Sequence, residues 1–198
     1  MASIVAIVEG HGEEEAVPIL LRRLAEAVAP TADIEILPPI RVERNRVVRP
    51  EELERVVELA ARMVGTDGSI LVLLDADDDC PAELGPGLLA RARAARPDRA
   101  IRVVLAKAEY EAWFLAATAS IAGRHDIDEA AMPPDDPEGI RNAKGWLTAR
   151  MPPGRTYRPT RHQAALTDHF DLDAARRSAP SFDKLWRDVG ALLATDTP

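Results

Sequence analysis

Apolar residues follow two alternating patterns along this chain. Short, nearly unbroken runs occur at Ser3–Val8, Ile70–Leu74 and Ile101–Leu105, and Asp33–Leu37 is expected to be a further strand. Runs of that kind are how strands buried on both faces of a parallel sheet read. Between them the apolar positions are spaced by three and four, which is the signature of one helical face. Glu14–Val28 places Val17, Leu20, Leu21, Leu24 and Val28 on such a face, and Pro50–Val64 does so with Leu53, Val56, Val57, Ala60, Met63 and Val64. Pro81–Arg96 and Lys107–Ile121 complete the set, with Gly85-Pro86-Gly87 expected to break the start of the former.

Strict β-α alternation through residue 121 predicts an α/β, Rossmann-like sandwich, with a four-stranded, mainly parallel sheet between helices. Pro133-Pro134-Asp135-Asp136-Pro137 reads as a turn or linker. Beyond it, helices are expected at Glu138–Arg150, Gln163–His169, Leu172–Arg177 and Ser181–Leu193, and Ser181-Phe182-Asp183-Lys184 resembles a capped start. The expected division is an α/β domain over 1–121 and a mainly helical C-terminal extension over 122–198.

Composition narrows this only in part. A length of 198 residues suits one domain with an appendage, and 4% aromatic content points to an aliphatic core. Cys80 is the sole cysteine, so an internal disulfide and a thiolate-rich zinc site are excluded, which suits a reducing cytoplasm. Met1–Val8 is short, lacks a basic leader and meets Glu9 at once; a strand is expected there, not a signal peptide. No stretch has the length of a membrane span.

The net charge of −8 argues against a general nucleic-acid coat protein, but the charge is unevenly distributed. No acid falls between Gly139 and Thr167, where Arg141, Lys144, Arg150, Arg155, Arg158 and Arg161 are interleaved with Trp146, Tyr157 and His162. Surfaces that hold phosphates and stack bases have this make-up. With Arg44 and Arg46 from the Arg41–Arg49 loop, the candidate nucleic-acid track is Arg44, Arg46, Arg141, Lys144, Arg155, Tyr157, Arg158 and Arg161. The alternative is that these cations pair with the acidic domain or with a partner protein.

The candidate chemistry sits where strands end. Leu74 is followed by Asp75-Ala76-Asp77-Asp78-Asp79, and Val8 by Glu9-Gly10-His11-Gly12-Glu13. In open α/β sheets the functional crevice lies outside the carboxyl ends of the strands. Crowded carboxylates raise one another's pKa unless a cation neutralises them, and a hard divalent ion suits an oxygen-rich cluster. Glu9, Asp75 and Asp77 would hold one or two Mg²⁺ or Mn²⁺ ions, a geometry that supports phosphoryl transfer.

Competing readings fit less well. Gly10 and Gly12 allow a tight backbone loop, but no Gly-Lys-Ser/Thr follows, and Glu15 stands where a dinucleotide fingerprint needs its third glycine. An EF-hand fails at Cys80 and Pro86. A haloacid-dehalogenase-like phosphatase would carry its Asp-x-Asp after the first strand. A merely solvated acidic loop is the plain alternative. Lys107 is a candidate phosphate or leaving-group partner against a simple salt bridge, His11 is expected to face solvent, and Glu109 to be an ordinary acid.

Val8-Glu9-Gly10 with Glu13, and Leu74-Asp75-Ala76-Asp77, resemble the two signature motifs of the TOPRIM domain of topoisomerases, primases, ribosomal RNA maturases and OLD-family nucleases. Glu111-Ala112-Trp113-Phe114-Leu115 and Ser181-Phe182 resemble a narrower bacterial TOPRIM-like family of small proteins often encoded beside ATPases and associated with phage defence. The resemblance implies Glu9 as catalytic glutamate or metal ligand, and Asp75 and Asp77 as principal ligands. Asp79 and Glu13 would be helpers, and Glu111 an additional acid. The expectation is a cytoplasmic Mg²⁺-dependent nuclease acting on DNA or RNA, with an ATPase partner and a homodimer left open. The alternatives are a non-catalytic TOPRIM-fold subunit that regulates an ATPase and, behind it, a small-molecule phosphatase.

Overall fold

The computed structural model describes residues 2–194; Met1 and residues 195–198 lie outside it. Elements run β1 (Ala2–Val8), α1 (His11–Val28), β2 (Ile34–Ile36), β3 (Ile40–Arg41), α2 (Arg44–Val47), α3 (Glu52–Met63), β4 (Ser69–Asp75), α4 (Pro81–Ala95) and β5 (Ala100–Ala106). After the last strand come α5 (Ala112–Ala116), α6 (Thr118–Ile121), a 3-10 turn (Pro137–Gly139), α7 (Ala143–Thr148), α8 (Pro159–His169), α9 (Leu172–Ser178) and α10 (Pro180–Ala194).

The sheet is five-stranded with all its pairings parallel, in the order β2-β1-β4-β5, and β3 adds to β1 beyond β2. The fifth strand departs from the expected four. Pro38 and Pro39 cannot donate to a ladder, so the expected second strand stops at Ile36. The chain rejoins the same edge two prolines later, where Ile40 and Arg41 pair with Ile7 and Val8.

Alternation along the strands divides the core into two layers. Ile4, Ala6, Val8, Leu71, Leu73, Val104 and Ala106 face α1, α5, α8 and α10. Val5, Ile7, Ile70, Val72, Leu74, Val103 and Leu105 face α3 and α4. The helical stretch after residue 121 is built into the first layer: α8 lies along α1, α10 lies along β5, and both share its apolar cluster.

That layer also holds the few aromatics. Trp113 packs edge-on against Phe182 (5.2 Å between centroids), Phe114 against Phe170 (5.5 Å), and Phe170 against Phe182 (5.6 Å). Each such pair adds roughly 0.5–1.5 kcal/mol beyond simple burial. The expected capped start at Ser181 is corrected: α10 begins at Pro180, and the Ser181 hydroxyl turns inward to accept from Trp113 Nε1 (2.8 Å).

Other departures have local causes. The helix expected over Lys107–Ile121 is reduced to α5 and α6, because Ala108 has φ 59° and the Tyr110 N–H is given to Asp75 Oδ1. Gly85-Pro86-Gly87 does not break α4, which runs unbroken from Pro81. Pro86 sits in its second turn, where the missing N–H forgoes only one bond. The helix expected over Glu138–Arg150 is split by two side-chain caps, Asp136 on Gly139 N and Asn142 on Gly145 N. No described helix is long and apolar enough to cross a membrane.

The α1–α8 contact depends on Gly12. A Cβ there would overlap Gln163 and come within 2.8 Å of the Pro159 backbone, whereas one at Gly87 would meet nothing within 4 Å. Gly12→Ala is therefore expected to cost about 1–3 kcal/mol by overpacking. Gly87→Ala, on an exposed helical face, should leave stability unchanged or raise it by up to about 1 kcal/mol. Chemical denaturation of the two variants checks the contrast.

Candidate functional site

Glu9 and Asp75 stand at the ends of adjacent strands, and the parallel register brings the Glu9 carboxylate to the Asp75 backbone. Glu9 Oε2 accepts from the Asp75 N–H at 3.3 Å. Asp75 is buried, with Oδ1 accepting from Tyr110 N (2.7 Å) and Oδ2 3.8 Å from Lys144 Nζ. Glu13, in the first turn of α1, reaches back so that Oε2 accepts from Glu9 N (3.0 Å) and Gly10 N (3.2 Å). It fixes the Glu9-Gly10 turn as the acidic half of a capping box does. His11 is exposed and pairs with Glu14.

The other half of the site comes from later in the chain. Lys144 opens α7, and its Nζ lies 2.8 Å from Glu109 Oε1 and 3.2 Å from Glu111 Oε2. Its backbone N–H also donates to Glu109 Oε2 (3.1 Å). Glu111 is fully buried; Oε1 accepts from the Tyr157 hydroxyl (2.9 Å), while Oε2 is buried without a hydrogen bond. Tyr157 in turn stacks on His162, with centroids 5.5 Å apart.

Electrostatics follow from this crowding. Burial, reinforced by the charge on Asp77, pushes Glu9 up from 4.5 to about 7, against the Asp75 N–H, Arg44 and Lys144. Burial and then Glu9 raise Glu13. Asp75 is held well above the usual aspartate range by burial, then Glu13, Glu111 and Glu9. Glu111 is raised by burial, with Lys144 opposing. Burial alone would depress the Lys144 ammonium, but Glu111, Asp75 and Glu109 outweigh it and hold its pKa above the lysine value.

The acidic loop itself turns outward. Ala76 N still donates to Ala106 O (2.8 Å) and Asp77 N to Ala108 O (2.9 Å), but Asp77 adopts φ 49° and its side chain is exposed. Arg44 ties the loop down, donating to Asp75 O (2.8 Å), Ala76 O (3.1 Å) and Asp79 Oδ2, with Nε 3.6 Å from Asp77 Oδ2. Among the described residues no three His, Cys, Asp or Glu side chains are gathered at metal-ligand spacing. Arg44 engages Asp77 and Asp79, and Lys144 engages the inner acids.

Several expectations are corrected by this arrangement. Lys144 and Tyr157, read as part of a nucleic-acid track, are inside the carboxylate cluster. Arg44 binds the acidic loop, Arg46 pairs with Glu52 (3.3 Å), and Arg141 pairs with Asp78. Arg155, Arg158 and Arg161 are exposed, and their side chains make no ion pair or hydrogen bond among the described residues. Lys107 does not join the acids. It lines a cavity of about 580 Å³ between α4, β5 and α10, with Val103, Leu105, Pro180 and Lys184. Asp79 is held at the surface by Arg44, and Glu109, expected to be ordinary, clasps Lys144.

The sequence carries one signal for Lys144. The chain uses arginine almost throughout and lysine only at 107, 144 and 184. A compact ammonium in an arginine-rich segment suits a small buried space that a planar guanidinium would not fill. Nothing in the pattern pointed to Tyr157 or Glu109.

These features define an α/β protein with a lysine-centred carboxylate cluster at the carboxyl ends of its parallel strands. The chain belongs to the family DUF4276, a domain of unknown function, which it matches over residues 8–190. No curated protein and no solved structure matches it.

The raised acids predict a pH dependence. Folded Glu9 keeps its proton to about 7, whereas the unfolded chain releases it near 4.5. Between those values the folded state binds more protons, so stability falls as pH rises. Glu13, Asp75 and Glu111 act in the same direction. In chelator, the melting temperature should drop from about pH 5 to about pH 8, and Glu9→Gln should flatten that drop. Calorimetry across the range checks both.

Proposed function

We propose that the chain is a TOPRIM-like, Mg²⁺- or Mn²⁺-dependent phosphodiester-cleaving enzyme, a nuclease. The observation that carries this reading is that the Glu9 carboxylate lies on the adjacent strand end, accepting from the Asp75 backbone N–H at 3.3 Å. It supports the motif order in which a glutamate follows the first strand and Asp-x-Asp a neighbouring one. The donor set is hard oxygen throughout, which fits a hard divalent ion. Glu111 Oε2, buried without a hydrogen bond, faces the Lys144 ammonium at 3.2 Å.

Glu9, Asp75 and Asp77 are the residues that would hold the ion, Asp77 by turning from Arg44. When bound, the ion would neutralise charge on the phosphoryl oxygens. The chain's own groups supply the rest. In the ion-free site the Glu9 carboxyl, near 7, exchanges its proton at neutral pH, and binding an ion would displace that proton. Asp75 is held in one orientation by the Tyr110 N–H. Arg158 and Arg161 stand at the start of α8, which packs on Gly12 three residues beyond Glu9. Their unpaired guanidinium groups suit backbone phosphates leading to the acids.

A second reading has one observation in its favour. Lys144 already neutralises part of the cluster and, among the described residues, no three acids stand at ligand spacing, as a non-catalytic TOPRIM-fold subunit of an ATPase would allow.

Incubation of labelled DNA and RNA, single- and double-stranded, with Mg²⁺ or Mn²⁺ separates the two. A nuclease is expected to cleave at least one, and Glu9→Gln and Asp75→Asn should each lose about 10²-fold or more, as when a general acid or base is removed. Absence of cleavage with every substrate and ion, by folded protein, gives the second reading its case. In the Glu9→Gln background, Arg158→Ala with Arg161→Ala should weaken binding and lower the salt slope by roughly 0.7–0.9 per lost phosphate contact. Fluorescence anisotropy across a salt series measures it.

A further inference from the structure

We infer that the cavity between α4, β5 and α10 is a binding site for a small amphipathic anion, a molecule with an apolar body and one carboxylate or similar head. No residue of the carboxylate cluster lines this cavity, so the inference stands apart from the reaction proposed above.

The space is built into the fold. Its volume of about 580 Å³ lies within the range of small-molecule sites. Leu89, Val103, Leu105, Pro86 and Pro180 give it apolar walls. Gly85 keeps it open: a Cβ there would meet only Leu105 Cδ1, at 3.9 Å. Glycine is a poor residue inside a helix, yet α4 carries this one, buried, where a side chain would enter the cavity. The Gly85-Pro86 pair that reads as a helix breaker thus supplies room.

Charge on the wall favours an anion. Lys107, Lys184 and Arg187 line it against one acid, Glu138. Lys184 is held by Val103 O (2.7 Å) and Asp188, and Arg187 by Asp183 (2.9 Å). The Lys107 ammonium makes no hydrogen bond or ion pair among the described residues. Glu138 is turned to Ser181, accepting from its N–H (2.9 Å) and its hydroxyl, and burial pushes its carboxyl up. The N-termini of α4 and α10, at Pro81 and Pro180, open on the same space and add positive potential.

The sheet edge adds a donor. Ala106 is bonded towards β4, its O accepting from Ala76 N (2.8 Å). Alternation along a strand then turns the backbone groups of Val103, Leu105 and Lys107 to the open edge. Lys184 takes Val103 O, and Ser181 Oγ takes the Lys107 N–H (3.3 Å). Leu105, between them, is buried with no partner for its N–H or C=O on that side among the described residues. Buried backbone groups are seldom left so. An anionic head has the acceptor oxygens for the Leu105 N–H and for Lys107. An added peptide strand suits this edge poorly, because only Leu105 is left to pair with it.

The test uses two fluorescent probes, anilinonaphthalene sulfonate and its uncharged parent phenylnaphthylamine, titrated into the folded full chain. Wild type is expected to bind one equivalent of the sulfonate. Decanoate should displace it and slow the modification of Cys80, the sole cysteine, which is exposed and lines the cavity. Lys107→Met should weaken the sulfonate about 10-fold or more, the scale of a hydrogen bond to a charged group. It should leave phenylnaphthylamine within about 3-fold, less than a neutral hydrogen bond is worth. Lys107→Arg should bind the sulfonate as wild type does. Gly85→Leu, which fills the space, should abolish binding of both probes and the protection of Cys80 without lowering the melting temperature. Gly87→Ala, on the exposed face, should change neither.

Probe binding that survives in Gly85→Leu would place the site elsewhere and overturn the inference. Equal effects of Lys107→Met on the two probes would overturn it as well, since the cavity would then have no preference for an anion. Displacement by an acidic apolar peptide but not by decanoate would give the cavity to a protein partner in place of a small molecule. Should Gly85→Leu fail to fold, the protection of Cys80 in wild type and the Lys107 variants decide the matter alone.

Discussion

Five carboxyl groups, those of Glu9, Glu13, Asp75, Glu109 and Glu111, crowd the carboxyl ends of two buried strands, and one ammonium is set among them. Burying an unpaired carboxylate is expensive enough that the group takes up a proton instead. The raised acids are therefore one fact expressed at several residues: too little positive charge for the negative charge that the fold collects. Arg44 relieves it only in part and at Glu9, since its side chain goes to the backbone oxygens of Asp75 and Ala76 and to the outward aspartates. A site in this condition is poised to gain protons or cations, and its chemistry follows from that.

The sheet legible in the apolar runs places Glu9 beside Asp75. Four of the five strands sit at the four stretches expected to be strands, and the carboxyl-end rule then locates the acids. What pattern cannot convey is which distant side chain answers them. Lys144 lies in a stretch whose arginines made a solvent-facing track the natural reading. A run of cations specifies a charged surface, but not which cation turns inward. Tyr157 was read as a stacking residue for the same reason. The two-residue strand at Ile40–Arg41 is shorter than any periodicity can register. The turn over Lys107–Glu111 was hidden because its apolar neighbours suit a helix, and only Ala108 at positive φ breaks it.

The two motif fragments of the narrower resemblance acquire a structural meaning. Trp113 and Phe114 on one side and Ser181 and Phe182 on the other lie nearly seventy residues apart, yet they form one contact, sealed by the Trp113 Nε1 bond to Ser181 Oγ. Ser181 also donates to Glu138 and accepts from Lys107 N, so the segment leaving β5 is pinned at its start. The pinned segment is the one that carries Glu109, Tyr110 and Glu111. Aromatic packing in the α1–α10 layer thus sets where the inner acids point.

That dependence bears on what the residues after 121 are for. Lys144 and Tyr157 both come from them, and α8 closes over Gly12 beside the Glu9 turn. Without that layer Glu111 would have neither its ammonium nor its hydroxyl partner. The strands alone would present acids to water, where nothing fixes their orientation and nothing raises their pKa. An α/β core that ended at residue 121 would keep the two acidic segments and lose the environment that buries them and shifts their pKa. The C-terminal helices are, on this argument, part of the site in the same sense as the strands: one supplies the charges, the other their burial and their counter-ion.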